Sequence, residues 1–285
     1  MSFPNLPKQF RYVNEMDETI VFEYANGFLL TEKPKGIDTL SINHSEAQGI
    51  NQVGSTFQSS NVQSRPVTVS GRIVGSFQDQ MKSKLLSVVR PDLSARLYAD
   101  DYYLEVRPTA TPTIEGREKN PSFQFSVLAA YPYWQKDSSA SETLSGVRKR
   151  FKFPWNISRA YRFGELVTAA FINVYNEGQV PVPYTVTFSA IDTVVSPKLI
   201  EADTNEYLLL NKTLVAGETV TVEITHERTY VNSSVDGECR GALDLGSSFY
   251  RLKVGDNVIK PEADSGKANL NVKIDFAAEI VGIAL

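Results

Sequence analysis

Arg65-Pro66-Val67-Thr68-Val69-Ser70-Gly71-Arg72-Ile73 is the stretch on which the fold turns. Val67, Val69, Gly71 and Ile73 fall on one side of an extended chain, and Thr68, Ser70 and Arg72 fall on the other. Successive side chains of a strand point to opposite faces, so this pattern describes a strand with one buried and one wet face. The same stripe recurs at Leu104 and Val106, then at Phe123, Phe125 and Val127. The second half repeats it at Tyr184, Val186 and Phe188, at Val220, Val222 and Ile224, and at Leu270, Val272, Ile274 and Phe276. One-sided stripes are characteristic of antiparallel sheets. Turn residues separate them at hairpin spacing: Gly178, Ala216-Gly217, Asp236-Gly237, Gly255-Asp256 and Ser265-Gly266. The 13 Tyr and 15 Phe fit the same reading, because aromatic side chains suit a pleated, half-buried surface.

One segment has a different period. Phe77, Met81, Leu85 and Val88 or Val89 follow at helical spacing, and Pro91 ends the run. Ser76 is placed to cap this helix, and Asp79 suits the positive end of its dipole. A single amphipathic helix among strands is expected to lie against a sheet. Two polar stretches interrupt the pattern. Gln135 to Glu142, with its serines, reads as a linker, which divides the 285 residues into domains 1–137 and 138–285. Gln48 to Ser64 is too long and too polar for a tight turn, and loops of that length are functional or disordered. It lies between strands of the first domain, so Gln52, Phe57, Gln58 and Gln63 are candidate contacts to another subunit, with Phe57 as the apolar anchor.

Little in the composition points to chemistry. A net charge of -4 is too small to imply nucleic acid or membrane as a partner. The basic run Arg148-Lys149-Arg150 with Lys152 reads as the solvent face of a strand whose other face holds Val147, Phe151 and Phe153. The lone Cys239 excludes an intrachain disulfide and a cysteine-rich zinc site, and the chain is expected to fold in a cytoplasm without a secretion signal. His44 and His226 lie on strand-like segments without ligand-spaced neighbours, so no metal and no cofactor are expected. Asp100, Asp101, Glu165 and Asp192 are carboxylates that no spacing singles out as a catalytic pair. Phosphate-binding, dinucleotide-binding and nucleophile-elbow motifs are lacking from the sequence. The aromatics Tyr131, Tyr133, Trp134 and Trp155 flank the linker. Trp134 and Trp155 are candidates either for packing or for stacking on a sugar ring.

Several segments, taken in order, resemble one family. They are Arg65 to Gly75, Ala130-Tyr131-Pro132-Tyr133-Trp134, Phe153-Pro154-Trp155, Phe163-Gly164 and Ile172-Asn173-Val174-Tyr175-Asn176-Glu177-Gly178. Next come Asn205 to Asn211, Ala216-Gly217-Glu218-Thr219-Val220 and Phe249 to Asn257. This order resembles the distal tail (Dit) proteins of long-tailed bacteriophages. Where that family often has a proline in a Leu-x-Pro-Gly-x-Asn turn, this chain has Leu252-Lys253-Val254-Gly255-Asp256-Asn257. The resemblance implies a mainly β protein of two β-sandwich domains. The N-terminal one would carry the helix and an extended loop or hairpin and would build a homohexameric ring; the C-terminal one would be jelly-roll or galectin-like. It further implies a virion protein of the tail tip, made in the bacterial cytoplasm. The ring would dock on the tail tube protein and carry a tail-associated lysin or tail fibre hub, and DNA would pass through it without specific binding. A receptor-binding protein or a host saccharide would be a further partner. The second reading, from a different class, is a carbohydrate-binding β-sandwich module.

Overall fold

The structure is a computed structural model that describes residues 9–116, 119–143, 145–149, 164–168 and 171–283, except the side chains of 142–149 and 164–168. It divides into two compact units between Asp137 and Ser138. The first unit also takes back the segment from Glu279 onward, so the second ends at Ala278 instead of running to the C-terminus.

The first unit is one antiparallel system. Its strands run in the order Thr19–Val21, Phe10–Asn14, Ala95–Ala99, Tyr102–Pro108, Ser122–Ala129, Arg65–Ile73 and Phe28–Leu30. Tyr102–Pro108 bends the system: Tyr102 to Val106 pair with Ala99 to Ala95, whereas Arg107 and Pro108 pair with Leu128 and Val127. Strands that change partners along their length make the corners of a folded sheet. Both halves close on one core, in which Val67, Val69, Ile73, Leu97, Leu104, Val106, Phe123, Phe125 and Val127 are all buried. Phe22 stacks on Phe123 and Phe125 with ring centroids 6.0 Å apart, and Tyr12 meets Phe125 edge-on at 5.9 Å. Gly71 is required where it stands, because a Cβ there would lie 2.5 Å from both the Leu29 carbonyl and the Phe123 ring.

The helix spans Gln78–Val88 and buries Leu85 and Val88, with Met81 packed against the same core. Its start differs from the sequence reading. Phe77, not Ser76, is the flanking residue, and no side chain caps it. The Gln78 amide holds the entry instead, donating to the Gly75 carbonyl (3.2 Å) and to Asn120 Oδ1 (3.1 Å). Phe77 thus precedes the helix and stands outside the buried stripe, 67% exposed.

The expected linker also differs. Gln135 and Lys136 belong to the strand Trp134–Lys136, and Ala140–Thr143 is a strand of the second unit. Gln135 pairs with Tyr103 on one side and Glu279 on the other, and Tyr103 Oη donates to Gln135 Oε1 (2.7 Å). Its polar side chain is spent on this contact, which is why the segment resembles a linker in sequence.

Arg65 ties the first unit together from its sequence middle to its C-terminal return. It is 2% exposed. Its guanidinium donates to the carbonyls of Pro132 (2.7 Å), Gly36 (2.9 Å), Ile37 (3.1 Å) and Val281. Burial pulls its pKa below that of a free arginine, yet a guanidinium stays charged in a protein. The charge is met by oriented carbonyl dipoles, which charge-assisted hydrogen bonds make effective.

The second unit has two antiparallel sheets over one core. One runs Ala140–Thr143, Leu270–Phe276, Thr185–Ala190, Thr219–Ile224, Thr229–Ser233, Gly237–Glu238. The other runs Ile172–Asn176, Gly255–Glu262, Lys198–Glu201, Tyr207–Leu209. Val186, Phe188, Val220, Val222, Val272 and Ile274 of the first meet Val174, Leu199, Leu208 and Ile259 of the second in a single buried cluster, which is a β-sandwich. Lys149 and its strand Ser145–Lys149 pair with Gly164–Thr168, while Arg150 to Phe163, with Phe151, Lys152, Phe153 and Trp155, lie outside the described residues.

Two outcomes follow from the buried polar groups. Arg65→Met removes a donor from four carbonyls, of which that of Ile37 keeps others, and is expected to cost roughly 3–5 kcal/mol in denaturant unfolding. Arg72→Met, exposed on the same strand, is the control and should stay within about 0.5 kcal/mol. Glu218, 2% exposed, accepts from the Val215 N–H (3.0 Å), Ser233 Oγ (2.6 Å) and Lys212 Nζ (3.0 Å). Burial alone would raise its pKa, but these donors outweigh burial and hold it below the usual carboxylate range. A carboxylate whose pKa is lower when folded stabilises the protein above its unfolded pKa, and that stability is lost as pH falls through the folded value. Unfolding measured from about pH 6 downward should therefore show a loss beginning near the unfolded value of about 4.3. Glu218→Gln should remove that share of the pH dependence.

Candidate functional site

The polar segment from Gln48 is not a loop throughout. Ile42–Ala47 and Thr56–Val62 form a two-stranded sheet of their own, an antiparallel hairpin exposed along almost its whole length. Its register carries one irregularity: Ser45 pairs with Ser59 and Glu46 pairs with Phe57, so Gln58 is an extra residue, a β-bulge. Beyond the bulge the facing side chains keep their sides. Ile42 and Val62, His44 and Ser60, and Glu46 and Phe57 lie on one face; Asn43 and Asn61, Ser45 and Ser59, and Ala47 and Thr56 lie on the other. The first face mixes the apolar Ile42, Val62 and Phe57 with His44, Ser60 and Glu46, and the second is almost entirely hydroxyl and amide. The His44 ring meets Phe57 edge-on at 5.4 Å, and its Nδ1 lies 2.7 Å from Ser60 Oγ.

All four candidate loop residues lie on this hairpin or at its base. Gln52 fastens the turn: its Oε1 accepts from the Gly49 N–H (2.9 Å) and its Nε2 donates to Thr56 Oγ1 (2.9 Å). Gln58 is the bulge residue. Gln63 closes the base, its N–H donating to the Ser41 carbonyl (2.9 Å). Phe57 is 67% exposed on the first face. Ile50 and Val53 stand fully exposed in the turn.

Trp134 is fully buried, and its Nε1 donates to the Ile37 carbonyl (3.0 Å), so its side chain fills the core of the first unit and offers no face to a sugar. Trp155 lies outside the described residues. His226 sits in the turn between Thr219–Ile224 and Thr229–Ser233, not on a strand. Cys239 packs against the core of the second unit, and burial pushes its thiol pKa up.

The carboxylates hold turns and strands. Asp100 Oδ1 accepts from the Gln9 N–H (3.0 Å), and Asp192 Oδ1 from the Thr193 N–H (2.7 Å). Asp101 is exposed, and the side chain of Glu165 lies outside the described residues. The buried Glu201 accepts from the Thr204 N–H (2.6 Å) and Oγ1 (2.9 Å), and Glu279 accepts from Tyr131 Oη. Among the described residues no three His, Cys, Asp or Glu side chains gather as a metal site, and no helix is long and apolar enough to cross a membrane.

Sequence reasoning missed three functional-looking side chains that turn out to be pins of the fold. Arg65 shares the parity of Val67 and Val69, and that parity was the available sign that it points inward. Asn176 and Asn257 are buried in the segments that carry the family resemblance. Asn176 Nδ2 donates to the carbonyls of Val180 (3.0 Å) and Leu252 (3.1 Å), and its Oδ1 accepts from the Gly178 N–H (2.9 Å). Asn257 Oδ1 accepts from the Lys253 N–H (2.9 Å), and its Nδ2 donates to Val174 O (3.1 Å) and Lys253 O (2.9 Å). Each asparagine side chain stands in for a peptide group and closes a turn.

Residues 177–279 match the family of siphovirus-type tail components, C-terminal domain. No curated protein matches the chain in sequence. The fold is similar to that of SPP1 Dit, described as a paradigm of the hub adsorption apparatus in phages infecting Gram-positive bacteria: TM-score 0.70 at 13% identity, over 95% of this chain and 98% of that one. It is also similar to a chain of the phage P2 baseplate in its activated conformation, with calcium (TM-score 0.51) and with strontium (TM-score 0.50), each at 9% identity over 96% of this chain and 99% of that one. Residues 177–279 are thus similar in sequence to the C-terminal domain of siphovirus-type tail components, and the chain as a whole has a fold similar to that of SPP1 Dit.

Proposed function

We propose that the chain is a non-enzymatic structural protein of the phage tail tip, six copies of which close into a ring joining the tail tube to the host-adsorption apparatus. The observation that carries this reading is the fold shared with SPP1 Dit from end to end, joined to a tail-component domain recognisable in sequence. The first unit builds the ring, and the exposed hairpin of Ile42–Ala47 and Thr56–Val62 contributes to its contacts. The partners are other copies of the chain, the tube protein above, and a tail-associated lysin or tail fibre hub below, with a receptor-binding protein or host saccharide at the periphery. DNA passes through the ring during infection.

A heterologous interface closes into a ring when its rotation divides the circle. Light scattering is expected to give the mass of a hexamer at high protein concentration, and negative-stain images should show six-fold rings. A chain that stays monomeric at every concentration and forms no ring in purified tails overturns the reading.

A passage for DNA should not hold it. Tight binding to phosphates comes from many Lys and Arg contacts that release counterions, and each copy here is net acidic at -4. The assembled ring is expected to show no salt-sensitive DNA binding at micromolar concentrations in a filter or anisotropy assay.

A further inference from the structure

The paired strands Arg65–Ile73 and Ser122–Ala129 lose their outer neighbours on both flanks at the same rung. Val69 pairs with Phe125 there, and both side chains are buried in the core. On one flank the Thr31 N–H donates to the Ser70 carbonyl (3.3 Å) and the Lys35 N–H to the Thr68 carbonyl (2.9 Å), so residues 32–34 arch away opposite Val69. On the other flank the Thr109 N–H donates to the Ser126 carbonyl (2.9 Å) and Thr113 pairs with Gln124, so residues 110–112 arch away opposite Phe125. The two arches wall a groove of about 450 Å³ whose floor is the outer face of the strand pair. That volume lies in the range of small-molecule sites.

The floor is uncharged and made for hydrogen bonding. Ser70 stands opposite Gln124, and Gln124 opposite Thr113, so one polar row crosses three strands at the spacing of about 4.8 Å that a sheet imposes. Among the described residues the side chains of Ser70, Gln124, Thr31, Thr111 and Thr113 bond to no other part of the chain. Hydroxyl and amide groups both donate and accept. The lining holds Glu32 and Glu115 and no Lys, Arg or His, which disfavours an anion; Lys35 reaches Glu32 at 3.8 Å, and Arg72 stands beside Ser122 one rung beyond. No aromatic ring lies open in the groove, since Phe123 and Phe125 are buried, so an apolar ligand would find nothing to cover. The two floor strands are paired with each other along the whole of Ser122–Ala129, so the floor has no free edge to take up an extended peptide. The chemistry that fits is a neutral ligand whose hydroxyls each donate and accept, with C–H faces for the threonine methyls and Ala110.

We infer that this groove binds a neutral saccharide, hydrogen-bonded by Ser70, Gln124 and the threonines of the two arches. The inference rests on the proposed function only for the source of the sugar, the host surface, and it places that saccharide on the first unit. The floor residues stand on strands whose inward side chains are fixed in the core, so the geometry of the site is set before a ligand arrives. The groove is complete within one chain and does not need the ring.

The test uses the full chain and saturation-transfer NMR with titration. The neutral probes are maltotriose, cellotriose and the trimer of N-acetylglucosamine; poly(glycerol phosphate) is the anionic one. At least one neutral probe is expected to bind with a Kd of about 1 mM or tighter, and the phosphate polymer more weakly than that probe. Gln124→Ala and Ser70→Ala should each weaken binding about fivefold or more, the effect of losing one hydrogen bond to the ligand. Thr113→Trp, on the wall, should abolish it by filling the groove. Gln124 and Thr113 are exposed, so thermal unfolding of their variants should match the parent, and loss of binding then reads the groove and not the fold. Tyr175→Ala, at a side chain of the second unit that is 61% exposed, should leave binding unchanged. Binding that survives Gln124→Ala and Thr113→Trp, or is lost in Tyr175→Ala, overturns the groove as the site. Preference for the phosphate polymer overturns the neutral class, and no binding of any neutral probe overturns the inference. Rings without saccharide binding leave the proposed function standing and remove the groove; saccharide binding by a chain that never forms rings does the reverse.

Discussion

A single buried cation, hydrogen-bonded to main-chain carbonyls and with Asp38 near enough to act on its charge, organises the first unit. The Arg65 guanidinium collects carbonyls from three separate parts of the chain: Gly36 and Ile37, Pro132, and Val281. An unpaired buried acceptor is costly, and the guanidinium supplies a donor to each of these carbonyls. Trp134 uses the Ile37 carbonyl as well, and the Ile283 N–H donates to it from the returning segment. The C-terminal segment thus returns to the first unit through directional hydrogen bonds as well as apolar burial. A carboxylate could have neutralised Arg65 but could not have joined three segments at once, because only the five-donor fork of arginine reaches several acceptors in one plane.

The second unit solves a similar problem with neutral groups. Asn176 and Asn257 close turns at the same end of two paired strands, which run Asn176 against Gly255 and Ile172 against Ile259. Gly255 takes a left-handed conformation, φ 87°, inside the second of these turns, where a side chain would be strained. Charge is admitted where it can be matched, as in the Lys212, Glu218 and Asp236 group. Among the described residues, these buried polar groups are thus consumed by the scaffold.

The hairpin is the exception, because its polar and apolar side chains are sorted without being used. Elsewhere in the first unit the sorted faces of strands such as Arg65–Ile73 and Ser122–Ala129 lie over the core.

How much of this was legible in the sequence follows from parity. Strand stripes such as Val67, Val69 and Ile73 or Val220, Val222 and Ile224 are local, and a period of two survives any tertiary arrangement. Two β-rich halves with one helix between strands could therefore be read from the residues directly. The helix start was misplaced because Ser76 is a good cap by type, while in the structure no side chain caps the helix and the Gln78 amide, bonded across to Asn120, fixes its entry. The linker was over-read because Gln135 is polar for a partner, Tyr103, thirty-two residues away. The face of the hairpin that carries its apolar side chains was hidden by the bulge at Gln58, which puts Phe57 and Val62 on one face although five residues separate them, a spacing that parity assigns to opposite faces. The sequence by itself determined the alternation, the turns and the family likeness, since each is carried by near neighbours. Tertiary structure alone decided that Arg65 is a hub, that Trp134 is core, and that the last segment returns to the first unit, since each depends on which distant carbonyl or strand edge lies within hydrogen-bonding distance.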